Sequence, residues 1–226
     1  MRELGNNERI GFDDFVEKAP KEAAAIGDII RNYELTQGKM RGEKISAALP
    51  SMAEEKSRTR YKAQFLVSLR GDELLDGAMA LFRLASAEEN NNGKQMIGLT
   101  QAGIEFAKLP NPVLDDHNYE KSLSPEEINF YLNHVKQNVR SEYNAIHWIL
   151  EKIYSGINER EKINQELKKD FGQIWDASDA VINTQRAGLM SRMFELGLLD
   201  KDKDGIYVTY LLSDFGKSHL TKKANF

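Results

Sequence analysis

The chain has 226 residues, a net charge of −4, 41% hydrophobic and 29% charged residues, an ordinary globular mix long enough for one large domain or two of about 100 residues. The absence of cysteine excludes disulfides, cysteine-ligated zinc and thiol nucleophiles. No apolar run nears the roughly 18 residues that span a bilayer, and the opening MRELGNNERIGFDDF has no apolar signal core, so a cytoplasmic protein without membrane association is expected.

Residues 1–20 are polar and are expected to fray, apart from an apolar patch at Phe12, Phe15 and Val16. From Pro20 the apolar spacing predicts a helix over 21–35, ended by Gly38. A short helix is expected over 43–49, stopped at Pro50, and a longer one over 52–69, closed by Gly71. The run AMALFRLAS (78–86) reads as a strand, EENNNG (88–93) as a turn and KQMIGL (94–99) as a second strand, together a β-hairpin. Thr100 then caps a short helix over 101–108, and Pro110 and Pro112 open a linker over 110–123.

The second half starts with Ser124-Pro125-Glu126-Glu127, a capping box with proline at the first helical position. One helix of about 30 residues is expected from there to Gly156. Its apolar positions Ile128, Leu132, Val135, Val139, Tyr143, Ile146, Leu150 and Ile153 follow near-heptad steps. That seam suits either a spine joining two units or a homodimer through helix 128–153. Helices over 158–171 and 179–196 follow, then a turn at DKDKDG (200–205), an apolar strand over 206–212, and a short helix capped by Ser213.

The two halves end alike. MIGLTQAGIEF (96–106) and TYLLSDFGKSHL (209–220) both run from a strand through Leu and Thr or Ser to Gly in a short helix, so Leu99-Thr100 matches Leu212-Ser213 and Gly103 matches Gly216. Upstream, residues 70–75 are set against 195–199. This order resembles the winged-helix proteins, a helix-turn-helix family that includes MarR- and ArsR-like regulators. The resemblance implies a mainly α fold with small β-hairpin wings (α+β): a flexible segment 1–20, a winged-helix unit over 21–109, a linker over 110–123, and a long helix with a second winged-helix unit over 124–226.

The resemblance further implies that the helices over 52–69 and 179–196 read the major groove of double-stranded DNA while the hairpins touch its backbone. On the first helix the face opposite Tyr61, Phe65, Leu66 and Leu69 carries Lys56, Thr59, Arg60, Ala63 and Arg70, with Gln64 at its margin, and Val67 also lands on this outer side; arginine and glutamine are the side chains that read guanine and adenine edges. On the second, Asn183, Thr184, Arg186, Ser191 and Arg192 occupy the outer side or its flanks. Asn91, Asn92 and Lys94 sit at the first hairpin tip. The segment 39–70 is +5 while the rest of the chain is −9, a basic face on an acidic body.

A DNA-binding transcriptional regulator or DNA-organising factor is therefore the first expectation, and an acidic tandem winged-helix adaptor for protein partners the second. No phosphate loop, nucleophile elbow or HExxH spacing is present, and DKDKDG lacks the far glutamate of a calcium loop. Neither catalysis, nor a cofactor, nor a metal is expected.

Overall fold

The computed structural model describes residues 9–40, 44–69, 75–175, 178–204 and 207–221. The chain divides into two compact units at Val139–Arg140. Among the described residues no helix is long and apolar enough to cross a membrane.

In the first unit a short strand, β1 (Ile10–Gly11), leads directly into helix α1 (Phe12–Thr36). Within the segment expected to fray, residues 9–20 are ordered, because Ile10 pairs with Ile97 and Phe15 enters the core beside Leu66, Val67, Met79, Ala85 and Ile97; residues 1–8 lie outside the described residues. Burying Phe15 alone is worth roughly 1.5–3 kcal/mol. Pro20 lies inside α1 rather than at its start. Further along α1, the buried Glu34 carboxylate accepts from the Ser46 hydroxyl and from the Ser46 N–H at 3.1 Å, which holds the 3-10 turn Ile45–Ala48 on the helix.

The helix expected over 52–69 is shorter and composite. α2 (Glu55–Tyr61) passes into a π-helical turn (Lys62–Leu66), and Val67 leaves the helix in extended conformation. β2 (Ser68–Leu69) and β3 (Leu75–Asp76) then pair antiparallel. The run 78–86, expected as a strand, is one helical turn, α3 (Ala78–Leu81), and then the start of β4 (Ala85–Glu89). β4 pairs with β5 (Gln95–Leu99), and the sheet order is β1-β5-β4. Helix α4 (Gln101–Ala107) follows.

The expected linker is folded: α5 (Pro112–Asp115) sits in it, and Asn111 Nδ2 donates to the Ser122 carbonyl and to both Glu127 oxygens. Helix α6 (Pro125–Asn138) carries the capping box as read. Its His134 Nε2 donates to the Phe82 carbonyl at 2.8 Å, an atom that can only accept.

The single helix expected from 124 to 156 is two. α6 ends at Asn138, Val139 has φ −130° and ψ 67°, and α7 (Arg140–Tyr154) begins the second unit. Of the seam residues, Val135, Ile146, Leu150 and Ile153 are buried in a single copy of the chain, and Ile128, Leu132, Val139 and Tyr143 are half-buried.

The second unit continues with α8 (Arg160–Trp175), α9 (Asp179–Glu195), β6 (Leu199–Asp204), β7 (Tyr207–Leu212) and α10 (Asp214–Thr221). Gly172 does not stop α8. Glu159 forms a single bridge to Thr209, and the Tyr210 N–H donates to the Asn158 carbonyl. Each unit thus has an early short strand lying on the last strand of the hairpin, with a helix directly after it. DKDKD, expected as a turn, is strand β6: its charges alternate with a period of two, which is the side-chain period of a strand.

The repeat holds atom by atom, in a different register upstream from the one the sequence predicts. In the second unit α9 ends in a left-handed Gly197 (φ 68°), with Leu198 N–H donating to Met193 O and Gly197 N–H to Phe194 O. This is a Schellman ending. In the first unit Arg83 (φ 54°) fills that place, with Leu84 N–H donating to Met79 O and Arg83 N–H to Ala80 O. So residues 82–85, not 70–75, match 196–199.

After the hairpin the copies coincide again. Thr100 and Ser213 donate backbone N–H to Leu84 O and Leu198 O, donate hydroxyls to Arg83 O and Gly197 O, and accept from Gly103 and Gly216 N–H. Both glycines are required by close approach. A Cβ would lie 2.0 Å from Leu84 O at Gly103 and 2.1 Å from Leu198 O at Gly216.

Alanine ordinarily favours a helix over glycine by about 1 kcal/mol, yet Gly103→Ala and Gly216→Ala are each expected to cost at least about 2 kcal/mol, since a backbone oxygen cannot step aside. Urea titration followed by far-ultraviolet circular dichroism checks both, and a neutral result at either removes the hinge as described. Arg83→Gly is expected to gain roughly 0.5–1 kcal/mol in the same assay, the left-handed strain relieved less the entropy glycine loses.

Candidate nucleic-acid interface

Both α2 and the turn that follows it pack against α1. Arg58 Nη1 donates to the Ser51 carbonyl at 3.2 Å and to that of Met52, tying the loop before α2 to the helix. Tyr61 stacks on Phe65 with ring centres 5.4 Å apart, and burial pushes the Tyr61 hydroxyl pKa up. The π-helical turn changes the expected faces. Phe65, placed on the core side by a regular helix, is about half exposed, while Val67, placed outside, is fully buried once the chain has left the helix.

On the outer side Lys56, Thr59, Arg60, Ala63 and Gln64 are all exposed, as the sequence predicts. Lys56 and Arg60 stand one turn apart, and neither has an ion pair among the described residues. Arg70 lies outside the described residues. Two other cations of the basic segment, Arg58 and Lys39, are spent inside the unit. Lys39 Nζ pairs with Glu120 at 2.6 Å, and Tyr33 OH donates to the other Glu120 oxygen at 2.7 Å. The hydrogen bond from Lys39, then that from Tyr33, holds the Glu120 pKa below its ordinary value, and the same partner raises that of Lys39.

The first hairpin tip is built around Asn90. Its Oδ1 accepts from the N–H groups of Asn92 and Lys94, and Gly93 turns the chain at φ 73°. Asn91, Asn92 and Lys94 are exposed there. Glu88, a neighbouring charge opposed to phosphate binding, is paired to Arg9 at 2.6 Å.

The second unit treats its expected contacts differently. Arg186 is buried at 7% exposure: Nε donates to Asn164 Oδ1 at 2.8 Å and Nη1 to the Tyr210 hydroxyl at 3.2 Å. It braces α8, α9 and β7 from within and presents no guanidinium to a groove, which corrects the expectation for this residue. Arg192 is held by Glu142 through two bonds of 2.7 and 2.9 Å. Asn183 donates to Asp179 O and accepts from Asn164, and the Thr184 hydroxyl donates to Ala180 O. Ser191 is exposed. The outer face of α9 is therefore polar, nearly uncharged and largely bonded to itself.

One feature was missed by reading 200–205 as a turn. Directly opposed residues of an antiparallel pair share a face, so Asp200, Asp202 and Asp204 lie on one face of the second hairpin with Leu211, Thr209 and Tyr207 opposite them. The charge alternation was the available signal. Among the described residues no three His, Asp or Glu side chains are grouped to hold a metal ion.

Arg186→Met keeps length and burial but leaves Asn164 and Tyr210 without their donor. It is expected to destabilise the second unit by roughly 1–3 kcal/mol, seen as a lower urea midpoint in tryptophan fluorescence, while leaving duplex binding within twofold of wild type. A large loss of duplex affinity in a folded Arg186 variant restores it as a contact. Set against family models, curated proteins and solved structures, this chain matches none of them.

Proposed function

We propose that this chain is a tandem winged-helix protein of the cytoplasm that binds double-stranded DNA through its first unit, as a transcriptional regulator or DNA-organising factor. The observation that carries the reading is the pair Lys56 and Arg60, exposed one turn apart on α2 and free of ion pairs among the described residues, in a segment where Lys39 is paired to Glu120 and Arg58 is tied to loop carbonyls. Repeated helix–hairpin–helix hinges support the winged-helix assignment of both units. Thr59 and Gln64 flank the two cations on the same exposed side, as a groove-facing helix requires. Asn91, Asn92 and Lys94 give the hairpin tip donors for phosphate oxygens.

The second unit contributes little to a duplex in this reading. The two arginines expected to meet DNA there, Arg186 and Arg192, are occupied, and the aspartate face of its hairpin repels phosphate. That acid face favours the adaptor reading for this unit.

Electrophoretic mobility shift of the full chain on random duplex DNA, over a series of salt concentrations, tests the proposal. Wild type is expected to bind at low salt and to weaken steeply as salt rises. Lys56→Ala with Arg60→Ala is expected to cost about tenfold or more in affinity and to reduce the salt slope by about 2. Retained binding with an unchanged slope in the double variant, or no binding by wild type at low salt, overturns it.

A further inference from the structure

We propose that the outer face and free edge of the β6–β7 hairpin dock an extended, basic segment of a partner protein, with lysine or arginine at alternate positions. This does not rest on duplex binding by the first unit.

The face has two halves. Asp200, Asp202 and Asp204 are exposed on β6 and form no ion pair among the described residues. Successive residues on one face of a strand are about 6.8 Å apart, so the carboxylates form a row matched to every second residue of a neighbouring strand. Across from them on β7 stand Tyr207, 74% exposed, and Leu211, 44% exposed. On the opposite face Leu199 and Tyr210 are buried in the core, and the exposed Lys201 has its Nζ 5.2 Å from the Phe194 ring centre. The exposed aromatic and aliphatic residues thus belong to the solvent face, where a folded hairpin has no need of them.

The edge is open on one side only. β7 is flanked by β6 and by the Glu159 bridge, whereas β6 pairs with β7 alone among the described residues. An added strand along β6 takes up its outward backbone groups and sets its alternate side chains beside the three aspartates. Charges on an edge strand also guard against self-pairing. In the antiparallel register centred on Asp202, with both outer faces on the same side, a second copy brings aspartate against aspartate. The same row that refuses an acidic or identical strand attracts a basic one. A single cation is a poorer occupant, since oxygen ligands must close to 2.3–2.6 Å around it and the row is too widely spaced. Nucleic acid is excluded from this face by like charge.

The test uses the full chain and a labelled peptide alternating lysine with threonine, titrated by fluorescence anisotropy. Wild type is expected to bind the alternating peptide and not its glutamate counterpart. Substituting Asp200→Asn, Asp202→Asn and Asp204→Asn together is expected to weaken binding about tenfold or more, with unchanged circular dichroism. Tyr207→Ala, which leaves charge and core untouched, is expected to weaken it several-fold. Equal affinity for a peptide of the same composition with its lysines in one block overturns the proposal, because bare charge attraction has no register. So does a Tyr207→Ala variant that binds as wild type. A hairpin-mediated dimer, seen in sedimentation of wild type and lost in the triple variant, overturns it in favour of a second copy.

Discussion

A leucine carbonyl with no room beside it governs both units. Leu84 O and Leu198 O each accept a backbone N–H from the residue that caps the last helix of the hinge, and each lies so close to a glycine that no other residue fits. The leucine itself follows a left-handed residue that ends the preceding helix. Four events are thereby locked together in a few residues: a helix stops, a strand starts, its hairpin partner returns, and a new helix is capped. Because the ties are backbone hydrogen bonds and one hydroxyl, they prescribe geometry while leaving nearly every outward side chain open to change.

That separation explains which parts of the fold are legible in sequence. The hydroxyl caps Thr100, Ser124 and Ser213 and the glycines Gly103 and Gly216 are specific residue types with one physical use, so the hinge endings and the start of α6 read correctly. The upstream register did not, because Arg83 does in the first unit what Gly197 does in the second, and an arginine carries no mark of a left-handed backbone. The stop at Val139 is equally silent, with neither glycine nor proline at the break. The π-helical turn rotates Phe65 outward in a way that a fixed 100° per residue cannot anticipate. β6 was hidden for a simpler reason: its period of two is written in charge instead of hydrophobicity.

The candidate site was legible in its exposure and not in its electrostatics. Sequence counts every cation between Lys39 and Arg70 alike, but the fold sorts them. Lys39 is answered by Glu120 and Arg58 by loop carbonyls, while Lys56 and Arg60 stand exposed on α2 without an ion pair among the described residues. A buried arginine such as Arg186 is similarly invisible beforehand. Its partners, Asn164 and Tyr210, are neutral and lie 22 and 24 positions away in the chain, so no local charge pattern announces them.

The two hairpins show what a shared hinge leaves to selection. In the first, Glu88 is covered by Arg9, and the asparagine-rich tip ends in an exposed lysine. In the second, three aspartates stand uncovered beside Tyr207 and Leu211. The same backbone device thus presents a nearly neutral tip in one copy and an acid–apolar face in the other. Since a phosphate surface and a basic strand demand opposite fields, one hairpin cannot serve both, and the two proposed contacts call for two hairpins of opposite character.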